Sequence, residues 1–138
     1  MNKILALDLG DQWVGIALSD ALHIIAKPFK TVALSQLDGA LKDIFEQHKI
    51  DTIIVGYPKT MKGTHSQQTE KIIAKKEQLE CLFADKAWIL WDERLSSKRA
   101  ESLKKGSTKE EALLSHARAA AFILDSYLMF KKNSANSD

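Results

Sequence analysis

The sequence holds one cysteine and two prolines in 138 residues, and no stretch approaches the roughly 18 consecutive apolar residues of a membrane span. Cys81 has no partner for an internal disulfide, and no second thiol stands at zinc-ligand spacing, so it reads as a lone thiol on a helix. The N-terminus lacks the basic start and apolar stretch of a secretion signal. Neither export nor membrane insertion is expected, and a cytoplasmic protein is. Repeats, low-complexity tracts and Gly/Pro-rich linkers are missing as well. The chain therefore reads as a single domain over residues 1–132, with 133–138 as a disordered tail. At this length folding hides roughly two thirds of the unfolded surface, so a core can form without staples. A strong charge of one sign is also absent: the net charge is +2, too small to name a partner.

What is present is a regular alternation of patterns in a chain that is 45% hydrophobic. Ile4-Leu5-Ala6-Leu7 is a continuous apolar run ended by Asp8-Leu9-Gly10, which predicts a central strand covered on both faces. Trp13 to Leu18 follows after a tight connection and reads as its antiparallel neighbour. A third strand is expected over residues 24–32, and Pro28 within it argues for an edge position. The period then changes. Leu37, Ala40, Leu41, Ile44, Phe45 and His48 define the apolar stripe of a helix with Ser35 near its start. Thr52-Ile53-Ile54-Val55 predicts a buried strand ending in Gly56-Tyr57-Pro58. A helix is expected over 66–83, where Thr64 and Gln67 have capping-box spacing. Trp88-Ile89-Leu90-Trp91 makes a fifth strand ending in Asp92-Glu93-Arg94. A short helix over 96–105 and a long one from Thr108 to about Lys131 complete the order. Three meandering strands followed by alternating helices and strands predict an α/β fold, a five-stranded mixed sheet with helices on both faces.

In such sheets chemistry gathers beyond the carboxyl ends of the parallel strands. Those ends carry Asp8, Gly56 and Asp92-Glu93. If the fourth strand lies between the first and fifth, two strands of carboxylate face each other across a glycine, roughly 9–10 Å apart. Such oxygens repel unless a proton or cation joins them, and hard oxygen donors favour Mg²⁺ or Mn²⁺. Two such ions suit phosphodiester hydrolysis. Cations surround the proposed pocket: Lys59 and Lys62 follow the fourth strand, and Arg94, Lys98 and Arg99 follow the acidic pair. These five are the candidate nucleic-acid contacts, with Trp13 and Tyr57 as candidate stacking surfaces. Residues Arg94 to Arg118 carry seven basic and three acidic side chains, and Lys59 to Lys76 five against one, which suits a polyanion.

Five segments carry a family resemblance: Asp8-Leu9-Gly10; Gly15-Ile16-Ala17-Leu18-Ser19-Asp20; Ile54-Val55-Gly56-Tyr57-Pro58 with Met61 and Gly63; Asp92-Glu93-Arg94-Leu95-Ser96; and Ala120-Ala121-Phe122-Ile123-Leu124. In this order and spacing, over residues 3 to about 128, the chain resembles the YqgF/RuvX family of pre-16S rRNA nucleases, also called Holliday junction resolvase-like proteins. The resemblance implies an RNase H-like fold and a metal-dependent nuclease acting on structured nucleic acid. Its implied partners are pre-rRNA or branched DNA and ribosomal precursor particles. By position, Asp8 matches the family's catalytic aspartate on the first strand, and Asp92 and Glu93 match its acidic pair on the fifth. The implied metal ligands are Asp8 and Glu93, with Mg²⁺ or Mn²⁺ as cofactor. Where the family has a further aspartate on its last helix, this chain has His116, which adds no negative charge and is a poorer Mg²⁺ ligand. Helical spacing sets it on the stripe of Leu113, Ala120 and Tyr127, facing the sheet.

That departure keeps two other readings open, a binding module whose catalytic set has decayed and a junction resolvase, and the oligomeric state stays open with them. The other histidines (His23, His48 and His65) lack ligand spacing and read as structural or surface residues. Asp8, Gly10, Gly15 and Asp20 are also similar to the first phosphate hairpin of actin-like ATPases, but those need a second lobe for which 138 residues leave no room.

Overall fold

In the computed structural model, which describes residues 2–57, 67–92 and 108–136, five strands form one sheet. They are β1 (Lys3–Leu9), β2 (Trp13–Ser19), β3 (Ala26–Ala33), β4 (Ile50–Tyr57) and β5 (Ala87–Asp92). Three helices accompany them: α1 (Leu37–Gln47), α2 (Gln67–Leu82) and α3 (Lys109–Asn136). The sheet order is β3-β2-β1-β4-β5, with β1–β2 and β2–β3 antiparallel and β1–β4 and β4–β5 parallel. The mixed sheet expected from the sequence is thus present, with β4 between β1 and β5. Pro28 does lie on an edge strand, beside a register shift in which Ala17 pairs with Pro28 and Ile16 with Lys30.

Alternation along β1 divides the core into two layers. Leu5, Leu7 and Leu9 pack with Leu37, Leu41 and Ile44 of α1 and with Ile72 and Leu79 of α2. Ile4 and Ala6 pack with Ala120, Ile123, Leu124 and Leu128 of α3. The small residues Ala6, Ala17, Ala117 and Ala120 let α3 lie close over β1, β2 and β3. No described helix is long and apolar enough to cross a membrane.

Several boundaries differ from the sequence pattern, each for a local reason. Strand β3 begins at Ala26 rather than Ile24, because the amides of Ile24 and Ile25 donate to the Asp20 carboxylate at 2.7 and 2.9 Å instead of joining a ladder. Ser35 lies in a 3-10 turn (Leu34–Gln36), and α1 starts after Gln36 without a side-chain cap. Helix α3 continues past Lys131 to Asn136, so Asn133 to Asn136 of the expected tail are helical. Its start follows the pattern. The Glu111 amide donates to Thr108 Oγ1 at 3.2 Å, and the Thr108 amide donates to the Glu111 carboxylate at 3.4 Å. Thr64, and the short helix expected over 96–105, lie outside the described residues.

Candidate active site

Asp8 is the second-last residue of β1, and the sheet register builds a row through it. Thr31 pairs with Gly15, Gly15 with Asp8, Asp8 with Gly56, and Gly56 with Trp91, across β3, β2, β1, β4 and β5. By alternation with Ile4 and Ala6, Asp8 presents its half-buried carboxylate on the α3 side of the sheet. It is flanked by two residues without side chains. Of these, Gly56 is the glycine expected between the first and fifth strands, and the residue across it from Asp8 is Trp91.

The two glycines are used differently. A Cβ on Gly15 would overlap the backbone carbonyl of His116 and lie 2.8 Å from the Ala117 amide nitrogen. Gly15 is therefore the seat on which α3 touches β2 backbone to backbone. One helical turn earlier, the Thr31 hydroxyl donates to the Leu113 carbonyl and ties α3 to β3. Both moorings lie in the Asp8 row, and together they fix the height of His116 beside it. His116 is half-buried on the stripe that includes the fully buried Ala117 and Ala120, which agrees with an inward-facing position. Gly56 is buried and stands between Asp8 and Trp91 with no side chain of its own. Trp91 is held by a 3.3 Å hydrogen bond from its Nε1 to Ser126 and an edge-to-face contact with Tyr127 at 5.2 Å.

The β1–β2 turn fixes the other side of Asp8. The Gly10 amide donates to the Trp13 carbonyl at 3.0 Å, and a Cβ on Gly10 would approach that oxygen to 2.7 Å. The Leu34 amide donates to the Gln12 carbonyl at 2.9 Å and ties the turn to the end of β3. Of the candidate stacking residues, Tyr57 packs against the core on the α1–α2 side, and Trp13 is half-buried at the start of β2.

Asp92 ends β5 with its backbone paired to Tyr57, one residue beyond the row of Asp8, in which Trp91 stands across Gly56. Glu93, Lys59, Lys62, Arg94, Lys98 and Arg99 lie outside the described residues, as does His65. Among the described residues no three His, Cys, Asp or Glu side chains converge on a point that would hold a metal. What the described part offers an ion is one hard oxygen donor, Asp8, beside the side-chain-free Gly56. A carboxylate oxygen is a donor suited to a hard divalent cation. Neither the role of Gly15 nor that of Thr31 follows from the strand patterns. A glycine inside an otherwise apolar strand was the available signal of a close backbone approach.

A family model described as "RuvX: Holliday junction resolvase" matches residues 2–129. The chain belongs to the RuvX family. Among its curated relatives, a Geobacillus sp. protein named "Putative pre-16S rRNA nuclease" is 36% identical over 138 aligned residues, covering 94% of this chain and 99% of that one. A protein of the same name from Clostridium tetani is 37% identical over 142, covering 91% and 95%. The RuvX architecture is RNase H-like. The solved structure of T. thermophilus RuvC in complex with Holliday junction substrate superposes with a TM-score of 0.56 over 96% of each chain, at 9% identity. Across so low an identity the likeness concerns the fold.

Proposed function

We propose that the chain acts as a divalent-metal nuclease in the 5′-end maturation of pre-16S rRNA. Membership of the RuvX family makes it a nuclease, a hydrolase of phosphodiester bonds. The substrate follows the name its curated relatives carry. The observation that carries the reading is the row Gly15–Asp8–Gly56, a single carboxylate between two residues without side chains at the carboxyl end of a central strand.

In this reading Asp8 and Glu93 hold Mg²⁺ or Mn²⁺, Asp92 assists, and His116 orients a water or completes the ligand set. Ile89 and Trp91, four and two residues before Glu93, pack on the α3 side of the sheet, the side of Asp8. When bound, a divalent ion supplies charge stabilisation and a lowered pKa for water. The residues of the chain bind and orient. Asp8 supplies an oxygen, Gly56 leaves room for a phosphate, and a neutral His116 can accept a proton from the attacking water. Hydrolysis joins the water oxygen to phosphorus and breaks the P–O3′ bond, leaving a 5′-phosphate and a 3′-hydroxyl. Lys59, Lys62, Arg94, Lys98 and Arg99 engage flanking phosphates. The chemistry takes place in the cytoplasm, where precursor rRNA is assembled into particles.

The test is cleavage by purified protein of a pre-rRNA fragment and of a four-way DNA junction, each with Mg²⁺ and with Mn²⁺. Asp8→Asn keeps the shape of the side chain and should remove at least about 99% of the activity, the loss expected when a charge-stabilising group is deleted. Full activity in Asp8→Asn refutes the assignment. The description of the matching family model favours a second reading, junction resolution, which needs two symmetric cuts and hence a dimer. Preference for the junction over pre-rRNA would select it. His116 favours a binding module without catalysis, and activity appearing only in His116→Asp would select that.

A further inference from the structure

The pole of the sheet opposite Asp8 carries an apolar surface that the nuclease reading does not use. The β2–β3 connection and the last turns of α3 meet there around a shallow concavity of about 540 Å³. Leu22, Ile24 and Met129 line it while 63%, 67% and 59% exposed. Single exposed hydrophobics are ordinary, but three large ones around one concavity mark a contact surface.

The surface is held in shape. His23 has a left-handed backbone, φ 58°, and its Nε2 donates to the Asn2 carbonyl at 2.7 Å. Its Nδ1 accepts from Lys131 Nζ at 3.1 Å, which ties the connection to α3. The Asp20 carboxylate accepts the amides of Ile24 and Ile25 and fixes the turn that displays Leu22 and Ile24. A loop already ordered in this way has little backbone freedom left to lose on contact.

We propose that this surface is a self-association face, on which a second copy of this chain docks with its α3 antiparallel to the first. Charge names the occupant. Asp125 and Lys132 border the concavity, both are exposed, and neither has a partner among the described residues. With Met129 they fall at i, i+4 and i+7 on one stripe of α3. Seven residues separate them by about 10 Å along the axis, too far to pair within one helix. In an antiparallel crossing centred on Met129, Asp125 of each copy meets Lys132 of the other, and Leu22 and Ile24 close over the two methionines. The surface is thus self-complementary about a two-fold axis, as an isologous dimer requires. Thirteen residues of helix separate His116 from Met129, about 20 Å, so the two Asp8 sites would stand at the outer ends of the dimer.

Sedimentation equilibrium of the full chain, with circular dichroism as the folding control, tests the inference. The wild type should dimerise at high micromolar concentration. Met129→Glu should leave it monomeric. Asp125→Lys and Lys132→Glu should each weaken the dimer about tenfold, and the double variant Asp125→Lys/Lys132→Glu should recover most of the loss, because the pairs re-form with reversed sign. A wild type that stays monomeric overturns the inference and leaves the face to a different protein. A dimer indifferent to these substitutions, or a double variant no better than the singles, overturns it equally. Cleavage of the pre-rRNA fragment needs no dimer, so the nuclease reading and this one fail separately.

Discussion

One methyl group added at Gly15 should cost more than most single changes on this sheet. In Gly15→Ala the new carbon would overlap the His116 carbonyl and stand 2.8 Å from the Ala117 nitrogen. Both obstacles are helix backbone, which cannot rotate away as a side chain end can. Helix α3 must lift from β2, or β2 must bend, within a layer where Ala17, Ala117 and Ala120 already allow no exposure. Overpacking a well-filled core costs about 1–3 kcal/mol, and a backbone obstacle belongs at the upper end. Lifting α3 also stretches the Thr31–Leu113 hydrogen bond one turn away, for about 1 kcal/mol more. The sum, about 3–4 kcal/mol, is a large part of the 5–15 kcal/mol typical of a domain. It corresponds to a fall in Tm of about 10 °C or more at this chain length. Thermal and urea melts followed by circular dichroism measure it. Cleavage at a temperature where the variant remains folded reports separately on the displacement of His116. A Gly15→Ala protein that melts within about 2 °C of wild type would show that α3 does not rest on this glycine.

Other expectations follow from single contacts. Thr108→Ala removes the side-chain half of the α3 capping box and should lower stability by about 1 kcal/mol in a urea titration; an unchanged midpoint would mean the cap is not used in solution. The Ile25 amide, with that of Ile24, holds the Asp20 carboxyl below its ordinary value of 3.8. A lowered folded-state pKa means stability that is present above 3.8 and lost as the pH falls through the lower folded value. Asp20→Asn should flatten that acid limb of stability, and identical acid titrations of variant and wild type would remove the basis for it. In His116→Asp an imidazole gives way to an oxygen donor, so the ratio of Mg²⁺-supported to Mn²⁺-supported cleavage should rise; a constant ratio would place position 116 away from the ion.

Much of the fold was legible because its signals are local. The edge placement of β3 follows from Pro28, which has no amide to give a second neighbour. The face of α1 follows from the spacing of Leu37, Leu41 and Ile44, all buried. The start of α3 follows from Thr108 and Glu111. Signals failed where a side chain competed with the ladder, as Asp20 does for the amides of Ile24 and Ile25. The end of α3 also lies beyond the expected one, because Asn133, Ser134 and Asn136 are turn-forming by composition and yet extend a helix that is already nucleated.

By itself the sequence determined the order of the described strands and helices, the acid near the end of the first strand, and the family to which that pattern belongs. Each depends on residues a few positions apart, within reach of backbone geometry and hydrophobic period. Only the tertiary structure decided that Asp8 stands between two glycines, that one of them seats α3, and that three exposed apolar side chains gather at the far pole. Those facts are pairings between strands and a helix tens of residues apart, set by sheet register and by how closely two backbones can approach. No local pattern encodes such a distance.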